Sequence, residues 1–200
     1  MTLQNRVMPD GQVIATPARG MFMGNRGILH DDRQVLGPAR WRHRNWVCCV
    51  LAFKGPKRAL MAPHRYTELF FLDEAVALAA GHRPCAECRR GDFTRFRTAW
   101  AAAFGGVPSA PDLDRVLHQS RVTGRTQRTH FAPAKTLPNG AMLRSENRLW
   151  LVLHGQMRCF APEGYGPPAP LPDRDVEVLT PAATVATLRA GYAPALHPTA

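Results

Sequence analysis

A chain of 200 residues is long enough for one sizeable domain, or a smaller one with an appendage, and a 45% hydrophobic content excludes a disordered protein. Its formal charge is +11, with 26 bases against 15 acids, which points to nucleic acid or another polyanion as partner. The longest apolar runs, "WVCCVLAF" and "AVALAA", fall far short of the ~20 residues that span a bilayer.

The N-terminus, "MTLQNRVMPDGQ", has no signal-peptide core, so the expected compartment is the cytoplasm, with no membrane partner and with reduced thiols. Only Lys54, Lys57 and Lys135 are lysine, so 23 of the basic residues are arginine. A GC-rich genome accounts for arginine over lysine, because Ala, Pro and Gly are abundant too. It does not account for the shortage of acids.

In chain order, residues 1–39, with "RGMFMGNRGILHDD", show no sustained period and predict an arm or a strand with loops. "WVCCVLAF" and "RALMAP" flank "KGPK", whose Gly-Pro predicts the turn of a β-hairpin. "YTELFFL" reads as a third strand from its aromatic and β-branched content. Asp73 can cap a short helix, Glu74 to Ala80, that Gly81 terminates. A second helix is predicted at about Asp92 to Phe104, because Phe93, Phe96, Trp100 and Phe104 recur at helical spacing. "GGVPSAPD" breaks that pattern and predicts a soft boundary.

The remainder reads as β-rich: an Asn-Gly turn at 139–140, a strand at Leu149 to Leu153, a Pro/Gly loop "APEGYGPPAPLPD", a strand "VEVLTP" and a short closing helix ending at Gly191. The predicted fold is therefore α+β. A zinc-knuckle module of hairpin, strand and two helices occupies residues 40–106, and a mainly β segment fills 107–200.

The chemistry centres on "GHRPCAECRR", Gly81 to Arg90. A thioredoxin-type CxxC opens a helix after a buried strand, whereas here a helix ending at Gly81 precedes it, so a metal half-site fits better than a redox pair. Cys88 lies near the start of the next helix, where amide donors favour thiolate, and Arg83, Arg89 and Arg90 add positive potential. Cys48 and Cys49 are adjacent, and neighbours on a flat strand point to opposite faces, so one ion would usually take only one of them; a bulge could bring both round. His43, His64 and His82 are substitute ligands. Lone Cys159 reads as buried filler.

The run "ELFFLDEAVALAAGHRPCAECRR" resembles the second half of the zinc-binding N-terminal domain of the Ada DNA-repair family, over about two dozen residues. That resemblance implies zinc held by four cysteines, Cys85 and Cys88 matching the family's second pair. It also implies a nucleophilic thiolate in the first pair, Cys48 or Cys49 here, that takes a methyl group from a DNA phosphotriester. The family spaces its first pair by three residues, so adjacent Cys48 and Cys49 depart from its pattern.

Arg40, Arg42, Arg44, Lys54, Lys57 and Arg58 form one acid-free basic block, and "RVLHQSRVTGRTQRTH" forms another, with Arg115, Arg121, Arg125 and Arg128. Trp41 and Trp46 interleave the first block. His118 and His130 read as surface or phosphate contacts rather than as catalytic imidazoles. The expected function is zinc-stabilised nucleic-acid binding, DNA foremost, through Arg40, Arg42, Arg44, Arg83, Arg89 and Arg90, with Arg121, Arg125 and Arg128 as a second contact. The alternative is an Ada-like alkyl acceptor using Cys48 or Cys49. A treble-clef metal-dependent nuclease ranks third, since "RHRNW" is a poor match to a His-plus-Asn/Asp constellation.

Overall fold

The computed structural model describes residues 2–55 and 59–200, and its architecture is α+β with two six-stranded sheets. The first sheet starts at the N-terminus. Strands β1 (Gln4–Val7) and β2 (Val13–Ala15) form a hairpin, and β1 runs parallel to β5 (Leu69–Phe71). Strand β3 (Phe22–Asn25) pairs antiparallel with both β5 and β4 (Val47–Val50), and the two-residue β6 (Arg83–Pro84) runs parallel to β4 at the edge. The first forty residues are thus half of this sheet, not an arm. The predicted partner of β4 at "RALMAP" is not a strand where it is described, at residues 59–63; Pro56, Lys57 and Arg58 lie outside the described residues. β3 takes that place because "MFMGN" offers Gly24 opposite Cys48, where a Cβ would sit 2.2 Å from the Val47 carbonyl oxygen.

Helix α1 (Glu74–Ala79) follows β5 and is buried along its whole length. The Asp73 carboxylate caps it, accepting from the Val76 amide at 3.0 Å. Its other end closes as predicted. Gly81 adopts φ +86°, the Gly81 amide donates to the Leu78 carbonyl and the His82 amide to the Ala77 carbonyl, both at 2.9 Å, a Schellman closure. A Cβ on Gly81 would lie 2.5 Å from Cδ of the buried Arg121 side chain. Gly81→Ala is therefore expected to cost about 1–3 kcal/mol, read as a lower urea midpoint at unchanged slope. An unchanged midpoint would contradict this packing.

Helix α2 (Arg90–Phe104) buries Phe93, Phe96 and Trp100 as its period predicted, while Phe104 stays exposed. Helix α3 (Ala110–Arg121) runs from the predicted soft boundary into the second basic block, where a β-rich segment was expected. Ser109 caps it by accepting from the Asp112 amide, and Leu113 and Leu117 bury one face. A short hairpin follows, β7 (Val122–Thr123) with β8 (Thr126–Gln127).

The second sheet is wholly antiparallel, formed by β9 (His130–Pro133), β10 (Met142–Ser145), β11 (Arg148–Leu153), β12 (Gln156–Ala161), β13 (Gly164–Pro170) and β14 (Asp175–Val178). The segment predicted as a Pro/Gly loop is β13. It sits at the sheet edge, where proline costs no ladder bond. Helix α4 (Ala182–Arg189) closes the chain before Gly191.

Both faces of the second sheet are covered. Leu143, Val152 and Val178 pack with Phe96 and Trp100 of α2, Leu113 and Leu117 of α3, and Val185 and Leu188 of α4. Met142 and Leu151, on the opposite face, pack with α1 and with Leu69, Phe71 and Cys48 of the first sheet. Helix α1 is the wedge between the sheets, and residues from both sides of the predicted limits at 40 and 107 contribute to these two cores. Among the described residues no helix is long and apolar enough to cross a membrane.

Candidate metal centre

Strand β4 sends its two cysteines to opposite faces, as flat-strand alternation requires. Cys48 is fully buried in the core, where the Arg89 guanidinium donates to its Sγ at 3.3 Å. Burial and the Glu74 carboxylate push the Cys48 thiol well up despite Arg89, so it is held as a neutral thiol. Cys49 is half-buried on the other face. Its sulfur lies with those of Cys85 and Cys88, all within 4.8 Å of one another.

The CxxC turn is bound to β4 by its backbone: β6 pairs Cys48 with Pro84, and the Cys85 amide donates to the Cys48 carbonyl at 3.0 Å. Beyond it the Arg89 amide donates back to the Cys85 carbonyl at 3.2 Å. The Cys49 thiol and the amides of Cys88 and Glu87 donate to Cys85 Sγ, which brings its pKa down to about 5. Cys49 is pushed up because it gives that hydrogen bond and is partly buried, and Cys88 is raised by burial although the Val50 amide donates to it. Three thiolates this close repel one another, and a divalent cation removes that cost. Three soft donors with amides aimed at two of them fit a thiophilic metal.

No histidine joins the cluster among the described residues. His82 is buried with both nitrogens engaged: Nδ1–H donates to the Val47 carbonyl at 3.1 Å, and Nε2 accepts from Arg26 Nε at 3.0 Å. His43 bonds the Asn25 side chain at 3.0 Å, and His64 sits on an exposed turn at φ +59°. The expected ligands Cys48, His43, His64 and His82 are therefore not brought to the site. Cys159, on β12, is likewise apart.

His82 also sets a pH response. Burial, then Arg26, holds its pKa well below the ordinary value. The unfolded chain takes up a proton on this imidazole near pH 6.5 while the folded chain does not, so stability is full above that pH and falls as pH drops. Urea titrations at pH 7.5 and 5 should show a smaller pH difference in His82→Gln than in the parent; equal differences would contradict it.

All three site sulfurs border one open cleft of about 630 Å³, whose walls include Met23, Phe53, Tyr66 and Phe70. Arg19 and Lys54 bring positive charge to it, and Lys54 Nζ lies 3.5 Å from Glu87.

The arginines divide into two sets. Arg83 grips Asp114 with two bonds of 2.9 and 2.7 Å, and Arg89 bonds Glu74 at 2.8 Å and Asp92 at 2.7 Å, all from buried guanidiniums. Arg121 is 1% exposed and donates to the carbonyls of Gly81 and Arg44. Arg83 and Arg89 are kept from any phosphate by acids distant in sequence, and Arg121 lies beneath the outer basic face rather than on it. Arg40, Arg42, Arg44, Arg90, Arg125 and Arg128 are exposed. His118 is half-buried against Trp41 and Trp46, its pKa lowered to about 4 by burial, then by Arg121 and Arg44. His130 is also lowered by burial, and among the described residues neither imidazole is bonded to a carboxylate.

Sequence reasoning missed Arg26. It is buried beside His82 and Trp46, and its only signal was a place among the glycines of "MGNRG". Compared with family models, with curated proteins and with solved structures, the chain matches none of them.

Proposed function

We propose that this chain is a zinc protein that binds nucleic acid, with Cys49, Cys85 and Cys88 as its three protein ligands. The observation that carries the reading is the trio of sulfurs within 4.8 Å at the border of an open cleft. Zinc suits thiolates in a tetrahedral set, and a fourth position facing solvent marks a working site more often than a purely structural one. The nucleic-acid part is supported by the charge of +11 and by the exposed Arg40, Arg42, Arg44, Arg90, Arg125 and Arg128.

Binding to a labelled DNA duplex, followed by fluorescence anisotropy, should weaken with salt at a log–log slope of ~0.9 per phosphate contact. Arg42→Ala with Arg44→Ala should reduce that slope by about 2. No binding at low ionic strength would sink this part.

Alkyl acceptance is the second reading, favoured by the half-buried Cys49 thiol on the cleft; buried Cys48 is no nucleophile. In that reaction a bond forms from Cys49 Sγ to the methyl carbon of a phosphotriester. The bond from that carbon to oxygen breaks, and the phosphodiester anion leaves with its electron pair. Zinc would supply an unprotonated Cys49 thiolate at neutral pH. A methylphosphotriester oligonucleotide should then add ~14 Da to the peptide holding Cys49, on the thiolate requirement. An unmodified Cys49 leaves the binding reading alone standing.

A further inference from the structure

A second cleft lies at the opposite end of β4, of about 460 Å³, and it holds an unusual arrangement of charge. Arg26 and Arg121 both line it, although they are only 4% and 1% exposed. Each guanidinium carbon lies 4.0 Å from the centroid of the Trp46 ring. Among the described residues neither arginine has a carboxylate within ion-pairing distance. Asp114, the acid whose field Arg121 feels, is engaged by both arms of Arg83. The cleft's own acid, Asp10, is bonded by Arg144 at 3.3 Å and by the Gln12 backbone amide at 3.2 Å and side-chain amide at 3.1 Å. Arg121 Nε is buried with no hydrogen-bond partner among the described residues. Arg40 and Arg125 add two exposed guanidiniums to the same walls, beside the half-buried ring of Trp41.

Carbonyl oxygens of Ala80, Gly81 and Arg44 satisfy donors of this pair but bring no full negative charge. Burial and neighbouring arginines hold Arg26 and Arg121 down to about 9, yet a guanidinium stays charged at neutral pH. Buried charge without a counter-charge is costly, and a cleft that opens on it is where the counter-charge would enter. Forked guanidiniums suit the oxygens of a phosphate better than a single carboxylate, and four of them suit a dianion.

We propose that this cleft is a phosphomonoester site, in which Arg26 and Arg121 form the floor and Arg40 and Arg125 the rim. The ligand is a mononucleotide or the phosphorylated end of a nucleic-acid strand. The inference is independent of the metal centre, and it rests on the nucleic-acid reading only for the second of these sources.

The test is a titration of the full chain by tryptophan fluorescence, since Trp41 and Trp46 line the cleft. The probes are inorganic phosphate, adenosine 5′-monophosphate, and one single-stranded oligonucleotide with and without a 5′-phosphate. Saturable responses to phosphate and to the monophosphate are expected. Arg40→Ala with Arg125→Ala, both exposed and so tolerated by the fold, should weaken them at least about tenfold. An oligonucleotide bound more tightly with its 5′-phosphate than the mononucleotide identifies a strand end; equal affinities identify a free nucleotide, and both support the site. No saturable response to any phosphomonoester overturns it, as does undiminished affinity in the double variant. Equal binding of both oligonucleotides without competition by phosphate overturns it too, while leaving the nucleic-acid reading intact. Monoester binding with no salt-dependent duplex binding removes that reading and keeps this site.

Discussion

Replacing Cys85 by serine is expected to abolish metal retention, taking content from about one ion per chain to near zero, because three thiolates cannot be reduced to two without opening the site. Cys85 is the sulfur on which the Cys49 thiol and the amides of Cys88 and Glu87 converge. Stability should fall as well, since metal binding on this scale contributes several kcal/mol to folding. Cys48→Ala is the informative control. Cys48 faces the core and Arg89, so this variant should lose some stability yet keep its metal. Elemental analysis after gel filtration reads both. A Cys48→Ala protein without metal, beside a Cys85→Ser protein that retains it, would reverse the assignment.

Arg89→Ala is expected to be among the most destabilising single changes around the knuckle, at about 3–5 kcal/mol. The side chain was read as a phosphate contact, yet it is the hub of a buried network. It bonds Glu74, Asp92 and Cys48, while Glu74 also accepts from the Tyr192 hydroxyl at 2.6 Å and the Ala195 amide at 2.8 Å. Removing the guanidinium leaves the Glu74 carboxylate buried without a cation, and loosens α1 from the C-terminal segment at the same time. A thermal midpoint lower by about 10 °C is the expected reading for a chain of this size. Exposed Arg90→Ala should stay within about 0.5 kcal/mol of the parent. Similar values for the two variants would contradict the network.

What could be read in the sequence was what local chemistry decides. Asp73 and Gly81 bracket α1 because a cap and a left-handed glycine act within one turn, and the aromatic stripe of α2 follows from its period alone. The alternation that separates Cys48 from Cys49 is equally local, and it placed one of the pair at the site. The rest depended on contacts between distant segments. Arg83 and Arg89 look like surface charge until α3 brings Asp114 and α1 brings Glu74 against them. Strand β3 was obscured because a strand of Phe, Met, Gly and Asn has weak propensity, and pairing on both sides is what holds it. Proline-rich β13 reads as a loop unless its edge position is known. Helix α3 did carry a signal, Ser109 three residues before Asp112 and Leu113 four before Leu117, but the flanking glycines and prolines masked it.

The central claim is that Cys49, Cys85 and Cys88 share one zinc ion whose remaining position opens on the cleft. X-ray absorption at the zinc edge of the purified protein tests it most directly. The expected first shell holds three sulfurs at ~2.3 Å and one lighter atom at ~2.0 Å, a shell that Cys48→Ala leaves unchanged. Four sulfurs, a shell of nitrogen and oxygen alone, or protein that retains no zinc would contradict it.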